Sequence, residues 1–315
     1  MRKLLCLRIV LACLPTISFA QTSTQSFGSG ANAFTMEFVT IGNPGNAADT
    51  TGSPNPAGSV AYIYNLGKYE VSRDQITKAS SAGNLGIRMV DMSNWGGNGV
   101  NRPATGIGWY EAGKYVNWLN TSTGNTAAYK FDGSGNFQLW SAGDAGYNAN
   151  NMFRNSLAKY VIASSDEWYK GAYGNRDGTW NNYATGSDSL PTAVAGGTDT
   201  NTAVYNGQSG PADIDNAGGL SPWGTMAQGG NVWEWMETAY DGINNIAGES
   251  REFRSGLWLY EGFGMGSSTR GGDSEDPTYG GDGMGFRVAM IPEPSSLSLL
   301  ALGGVLVVLG RRKRA

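Results

Sequence analysis

The sequence predicts an α+β domain low in regular secondary structure, and three observations lead there. Of 315 residues, 48 are glycine and 10 are tryptophan, while only 15% are charged. A loop-rich chain pinned by large buried aromatics has this composition, and a helical bundle does not. Strand-like runs are short, and few segments carry helical periodicity or a helix-start signature.

Taken in chain order, residues 21–33 are rich in Ser, Thr and Gly and read as a linker. Phe34-Thr35-Met36-Glu37-Phe38-Val39-Thr40-Ile41 alternates and reads as a strand. A Gly/Pro/Asn-rich loop over 42–58 follows, then strand-like runs at 60–64 and 67–71. A short helix starts near Ser72, with Asp74 in its first turn. Over 109–119, Tyr110, Ala112, Tyr115, Val116 and Leu119 share one face of the clearest helix. Another helix begins at Ser164, where Glu167 completes a capping box three residues on. Residues 174–229 are irregular apart from short strand candidates such as 202–205. Long irregular stretches inside compact domains are usually functional or ion-stabilised. No internal repeat is visible.

The two ends are separate units. Arg2 and Lys3, an apolar run over 4–17 and the small residues of Ser18-Phe19-Ala20 make residues 1–20 a secretory signal helix cut after Ala20. A lipoprotein signal ending at Cys13 is the rival, but Val10-Leu11-Ala12 matches it poorly. At the other end stand Pro292-Glu293-Pro294, an apolar run over 297–309 and Arg311-Arg312-Lys313-Arg314. That run is shorter than the ~20 residues of a comfortable membrane helix, and its basic flank would stay in the cytoplasm. An ordinary C-terminal anchor would also have an apolar run and a basic flank. The ordered trio over 291–315 resembles the PEP-CTERM sorting signal. The resemblance implies a Gram-negative bacterium producing extracellular polysaccharide, transient anchoring in the inner membrane, processing near Pro-Glu-Pro by an exosortase-type enzyme, and release to the surface or medium.

Both cysteines, Cys6 and Cys13, lie in the signal, and the chain has no histidine. The exported part thus lacks disulfides, thiolate nucleophiles, Cys/His zinc sites and His-based triads. Residues 21–290 hold 15 basic and 25 acidic residues, a net charge of −10. Such a domain repels phosphate backbones, so nucleic acid is not an expected partner, while a hard cation such as calcium is.

Between the ends, segments occur in a distinctive order. They are Leu66-Gly67-Lys68-Tyr69-Glu70-Val71-Ser72, Arg102-Pro103-Ala104 leading to Trp118-Leu119, Ser165-Asp166-Glu167-Trp168, and Gly224 with Gly230-Asn231-Val232-Trp233-Glu234-Trp235. Phe253-Arg254-Ser255-Gly256-Leu257-Trp258 and Gly285-Phe286-Arg287-Val288-Ala289 close the series. From residue 34 to 290 the chain resembles the formylglycine-generating enzyme, or sulfatase-modifying factor, domain. The resemblance implies a variant of the C-type lectin fold.

If 230–235 is extended, Trp233 and Trp235 share a buried face and Glu234 points the other way. The carbonyls of Gly230 and Val232 could then join the Glu234 carboxylate around a calcium ion. The family has a structural calcium at the matching positions, although Ala227 stands where it usually offers Asn or Asp. The competing reading is a tight Gly-Gly-Asn turn before a core strand, with Glu234 hydrogen-bonded to backbone.

The family's copper-binding cysteine pair has no counterpart in 258–265, and its three-histidine iron variant has no ligands here, so neither copper nor iron is expected. Paired carboxylates could still support glycoside hydrolysis. Asp213 with Asp215, and Asp273 with Glu275 and Asp276, are the candidates, although Gly/Pro-rich surroundings favour solvated turns. The Gly-x-Gly-x-Gly runs at 262–266 and 281–285 lack the context of a phosphate loop. Two expectations follow. One is a non-catalytic binding or matrix module taking a glycan or matrix polymer, with Tyr260, Asp273 and Glu275 as pocket candidates. The other is an extracellular enzyme of carboxylate- or metal-based chemistry.

Overall fold

The computed structural model describes residues 22–272 and 275–291. In chain order its strands are β1 (Thr22–Phe27), β2 (Phe34–Ile41), β3 (Tyr64–Gly67), β4 (Lys130–Phe131), β5 (Phe137–Gln138), β6 (Tyr160–Ile162), β7 (Thr192–Ala193), β8 (Thr202–Ala203), β9 (Trp233–Ala239), β10 (Arg251–Arg254), β11 (Met284–Gly285) and β12 (Val288–Met290). The α-helices among the described residues are α1 (Arg73–Gly83), α2 (Trp109–Thr121) and α3 (Ser165–Tyr173). The expected signal helix, apolar tail helix and sorting residues Pro292, Glu293, Pro294, Arg311, Arg312 and Arg314 lie outside the described residues. Among the described residues no helix is long and apolar enough to cross a membrane.

The alternation of 34–41 places Phe34, Met36 and Phe38 on the buried face of β2. The main sheet runs β1-β2-β3-β12-β6, antiparallel throughout. Residues 22–27, expected in a linker, instead pair along all of β2, from Thr22 opposite Val39 to Phe27 opposite Phe34. An edge strand needs only one apolar contact to dock. Phe27 supplies it, 5.6 Å from the Phe34 ring and 5.1 Å from the Tyr160 ring. The exposed side of the strand is polar, so its composition reads as a linker.

The two runs expected at 60–64 and 67–71 give one strand, β3, between their centres. The flanking residues bond outside it: Val60 N donates to Asn46 Oδ1 at 3.2 Å and Val71 N to the Phe286 carbonyl at 3.0 Å. A second sheet, β10-β9-β11, carries the central motif, with β10 antiparallel and β11 parallel to β9.

The helices start where local chemistry dictates. Ser72 accepts from Gln75 N and the Gln75 side chain accepts from Ser72 N, a capping box that opens α1. Ser164 and Glu167 do the same for α3, as expected. Buried Asn120 ties α2 to β6, donating to the Tyr160 carbonyl at 2.7 Å and accepting from its N–H at 2.9 Å.

Charges reach the interior in compensated groups. Arg154 bonds Glu167 through two nitrogens at 2.9 Å and Glu237 through Nε at 2.7 Å. Burial alone would raise the Glu167 carboxyl, but Arg154 reverses this and holds it below the usual carboxylate range. The Arg251 guanidinium lies 4.0 Å from the Phe153 ring centre and 4.7 Å from that of Trp109. Burial brings its pKa down to about 10.

The edge-strand assignment has a direct test. Phe27→Ala removes a ring that is 2% exposed and should cost about 3 kcal/mol of stability, measured by urea titration. A linker residue would leave the midpoint unchanged.

Candidate functional site

The central motif begins as a turn. Gly230 has φ +91° and Asn231 φ +61°, and extended geometry starts only at Trp233. A Cβ at Gly230 would lie 2.4 Å from the Val204 carbonyl oxygen, so no other residue fits without a backbone shift. Asn231 tolerates the left-handed region and uses its side chain fully. Its Oδ1 accepts from Ala212 N at 2.8 Å, and its Nδ2 donates to Glu70 Oε2 at 2.6 Å. Ser255, itself at φ +96°, donates through Oγ to the carbonyls of Gly230 at 2.7 Å and Ala227 at 3.0 Å.

From Trp233 onward the expected alternation holds. Trp233 and Trp235 both meet Phe253, at 5.2 and 6.0 Å between ring centres. Glu234 points the other way but into the interior, where it is 0% exposed. Arg287 donates from Nε to Glu234 Oε2 at 2.6 Å and from a terminal nitrogen to Oε1 at 2.5 Å. Trp168 Nε1 adds a bond to Oε2 at 2.7 Å.

At Gly230, Val232 and Glu234, where a calcium shell is one expectation, the described residues bring a guanidinium and a hydroxyl to two of the three groups. The carboxylate is bonded through both oxygens to a guanidinium, which already supplies the compensating positive charge. The carbonyl of Gly230 accepts the Ser255 hydroxyl, and the positive φ values at 230 and 231 break the extended geometry on which convergence depended. Nearby Glu70 accepts from Asn231 and from Val232 N at 3.3 Å. Burial, reinforced by repulsion from Glu234, pushes its carboxyl well above the usual range.

The carboxylates that are candidates for hydrolysis make separate contacts where they are described. Asp215 accepts from Asn101 at 2.7 Å in a groove shared with Glu37 and Asp74. Those two acids are committed to Lys68 and Lys78, at 3.1 and 2.7 Å. Asp213 contributes its carbonyl to the Asn216 N–H. Asp276 accepts from the N–H and hydroxyl of Thr278, a surface turn. Asp273 lies outside the described residues.

A cleft of about 390 Å³ opens instead beside the second sheet, lined by Trp233, Phe253, Tyr260, Phe263 and Arg270 among others. Of the three expected pocket residues it includes Tyr260 and not Glu275, whose carbonyl accepts from Arg251 N. The Tyr260 ring lies 5.2 Å from that of Trp233, tilted by 54°, and Tyr260 is 51% exposed, while Phe263 is 81% exposed. Phe263 had no signal in the sequence beyond its Gly-rich surroundings. The wall is anchored by the irregular stretch: Asn206, Gly207 and Gln208 donate their N–H groups to the carbonyls of Tyr260, Leu259 and Trp258. Gly271 is required opposite, since a Cβ there would lie 2.2 Å from the Phe253 ring.

With this geometry in place, a family model for the sulfatase-modifying factor enzyme 1-like domain matches residues 33–291. The chain belongs to this family. A second model, the PEP-CTERM protein-sorting motif, matches residues 291–314, which marks an exported protein sorted by way of the membrane by exosortase-type machinery. No curated protein matches. Similar solved structures include Treponema denticola variable protein 1, with a TM-score of 0.59 and 17% identity over 86% of this chain and 99% of that one. CarF is similar at a TM-score of 0.57 and 17% identity, over 81% and 98%. PvdO from Pseudomonas aeruginosa reaches 0.52 and 16%, over 85% and 98%. At these identities the likeness is one of fold.

The buried pair yields a second test. Arg287→Met strands Glu234 in the interior and should cost about 3–5 kcal/mol in chemical denaturation. The double variant Arg287→Met, Glu234→Leu should recover much of that loss. A double variant no better than the single would show that the pair's charge balance is not what the site requires.

Proposed function

We propose that the exported family domain is a non-catalytic binding module, a lectin-like scaffold whose ligand is a glycan of the extracellular matrix. The observation that carries this reading is the cleft. Exposed Tyr260 and Phe263 sit beside half-buried Trp233, with polar groups at hand in Thr269, Arg270 and Glu261. Aromatic faces offer broad apolar contact at low entropic cost, and the few polar groups fix orientation. Exposed aromatics clustered at a concave site are the kind of surface that marks binding.

The loss of oxidase catalysis follows from ligand chemistry. Residues 21–290 contain neither thiol nor imidazole, so the donors for copper(I) or a three-histidine iron are missing. Calcium has no place at Gly230, Val232 and Glu234 in this reading, because Arg287 holds the carboxylate.

Two measurements test it. Tyr260→Ala with Phe263→Ala should weaken glycan binding by roughly tenfold or more with little change in melting temperature, because both rings are exposed. Unchanged binding, or product released from a bound glycan, would overturn the reading. Melting curves in calcium and in EGTA should coincide; a difference of several degrees would restore a structural ion.

A further inference from the structure

The charges around the cleft point to a narrower ligand class. Glu252, 1% exposed, stands between two arginines, with Arg254 Nε 2.5 Å from one oxygen and a terminal nitrogen of Arg270 3.4 Å from the other. One carboxylate thus faces two guanidiniums, with Arg254 in the closer contact and Arg270 in the looser one. Arg254 is buried, and its terminal nitrogens donate to the carbonyls of Thr269 and Ser53. Arg270 differs. One of its terminal nitrogens donates to the Tyr240 carbonyl at 2.8 Å, and the guanidinium stacks 4.2 Å from the Tyr240 ring centre. Its other terminal nitrogen and Nε have no hydrogen-bond partner among the described residues, and its side chain remains 20% exposed at the cleft.

We infer that this cleft selects an acidic sugar residue, its ring against Tyr260 and Phe263 and its carboxylate on the free edge of Arg270. The inference rests on the cleft being the binding site proposed above. A guanidinium edge presents parallel N–H donors that match a carboxylate, and such charge-assisted bonds are about twice as strong as neutral ones. Stacking on Tyr240 and the bond to its carbonyl hold the group in place, which reduces the ordering cost of binding. Glu261, the acid in the described lining, forms no ion pair with either arginine. The contrast with the rest of the domain matters. With 15 basic and 25 acidic residues over 21–290, its surface repels polyanions generally. An acidic glycan is therefore held by one local contact and does not coat the protein.

The probe is an oligoglucuronate tetrasaccharide and its carboxyl-reduced counterpart, titrated calorimetrically into the exported domain. The acidic form should bind roughly tenfold tighter. Arg270→Gln should remove that preference while keeping the weaker affinity for the reduced sugar, and Arg270→Lys should retain part of it. Equal affinity of the two sugars for the unaltered domain would overturn the acidic assignment and leave the cleft reading standing. A preference that survives Arg270→Gln would do the same. Binding of neither sugar would overturn the cleft reading and the assignment together. If Arg270→Gln fails to fold, the comparison of the two sugars on the unaltered domain still decides.

Discussion

The bond between Arg287 and Glu234 is the constraint on which the rest of the molecule depends. The arginine stands just before β12, a central strand of the main sheet, and the glutamate lies in β9 of the other sheet. Arg287 also donates to the carbonyls of Gly67 at 2.9 Å, Lys68 at 3.3 Å and Met226 at 2.9 Å. Trp168 of α3 reaches the same carboxylate. One side-chain pair thus joins β3, α3, β9, β12 and the long irregular segment. Burying two charges costs several kcal/mol per ion, and attraction offsets this only when every remaining donor and acceptor is satisfied. Here each guanidinium nitrogen has a partner and both carboxylate oxygens are bonded. The net gain in stability over an apolar core is modest, but the penalty for any arrangement that separates the two is large. The pair therefore acts mainly by excluding alternatives.

The same reasoning explains how a domain with so little helix and strand holds a fixed shape. Irregular backbone must still find partners for its buried N–H and carbonyl groups. Side chains supply them: Asn231 and Ser255 around the Gly230 turn, Asn120 between α2 and β6, and Arg154 at the Ile162 carbonyl. Ser255 is the clearest case. A non-glycine residue at φ +96° is strained by about 1–3 kcal/mol, and its hydroxyl offsets that cost by joining two carbonyls of the central turn.

These facts also account for what could be read in advance. The capping boxes and the alternation of β2 depend on residues within a few positions of one another, so they were visible. The face shared by Trp233 and Trp235 was visible for the same reason. The partner of Glu234 was not, because Arg287 lies 53 residues away and an isolated acid suits a metal ligand as well. Over 230–232 the competing reading of a tight turn is the one whose backbone appears, since Gly230 and Asn231 are left-handed. Edge strand β1 was hidden by its polar residues, since one ring, Phe27, is enough to seat it. In the cleft Tyr260 was one of three candidates, whereas Phe263 and Arg270 depend on how 260–264 and 253–271 are brought together.

That juxtaposition bears on how a family scaffold changes activity. The groups that maintain the fold are Arg287 with Glu234, the Gly230 turn with Ser255, and the Arg154 cluster. Tyr260 and Phe263 belong to none of them. The wall carrying these two rings is instead held through backbone, by the N–H groups of 206–208 and by the Met265 carbonyl, which accepts the Tyr173 hydroxyl at 3.0 Å. Side chains along such a wall can be exchanged at little cost to stability, because the bonds that position it do not involve them. Exchange of the groups it displays is open to this architecture for that reason. The fold can thus stay fixed while the side chains displayed along this wall vary.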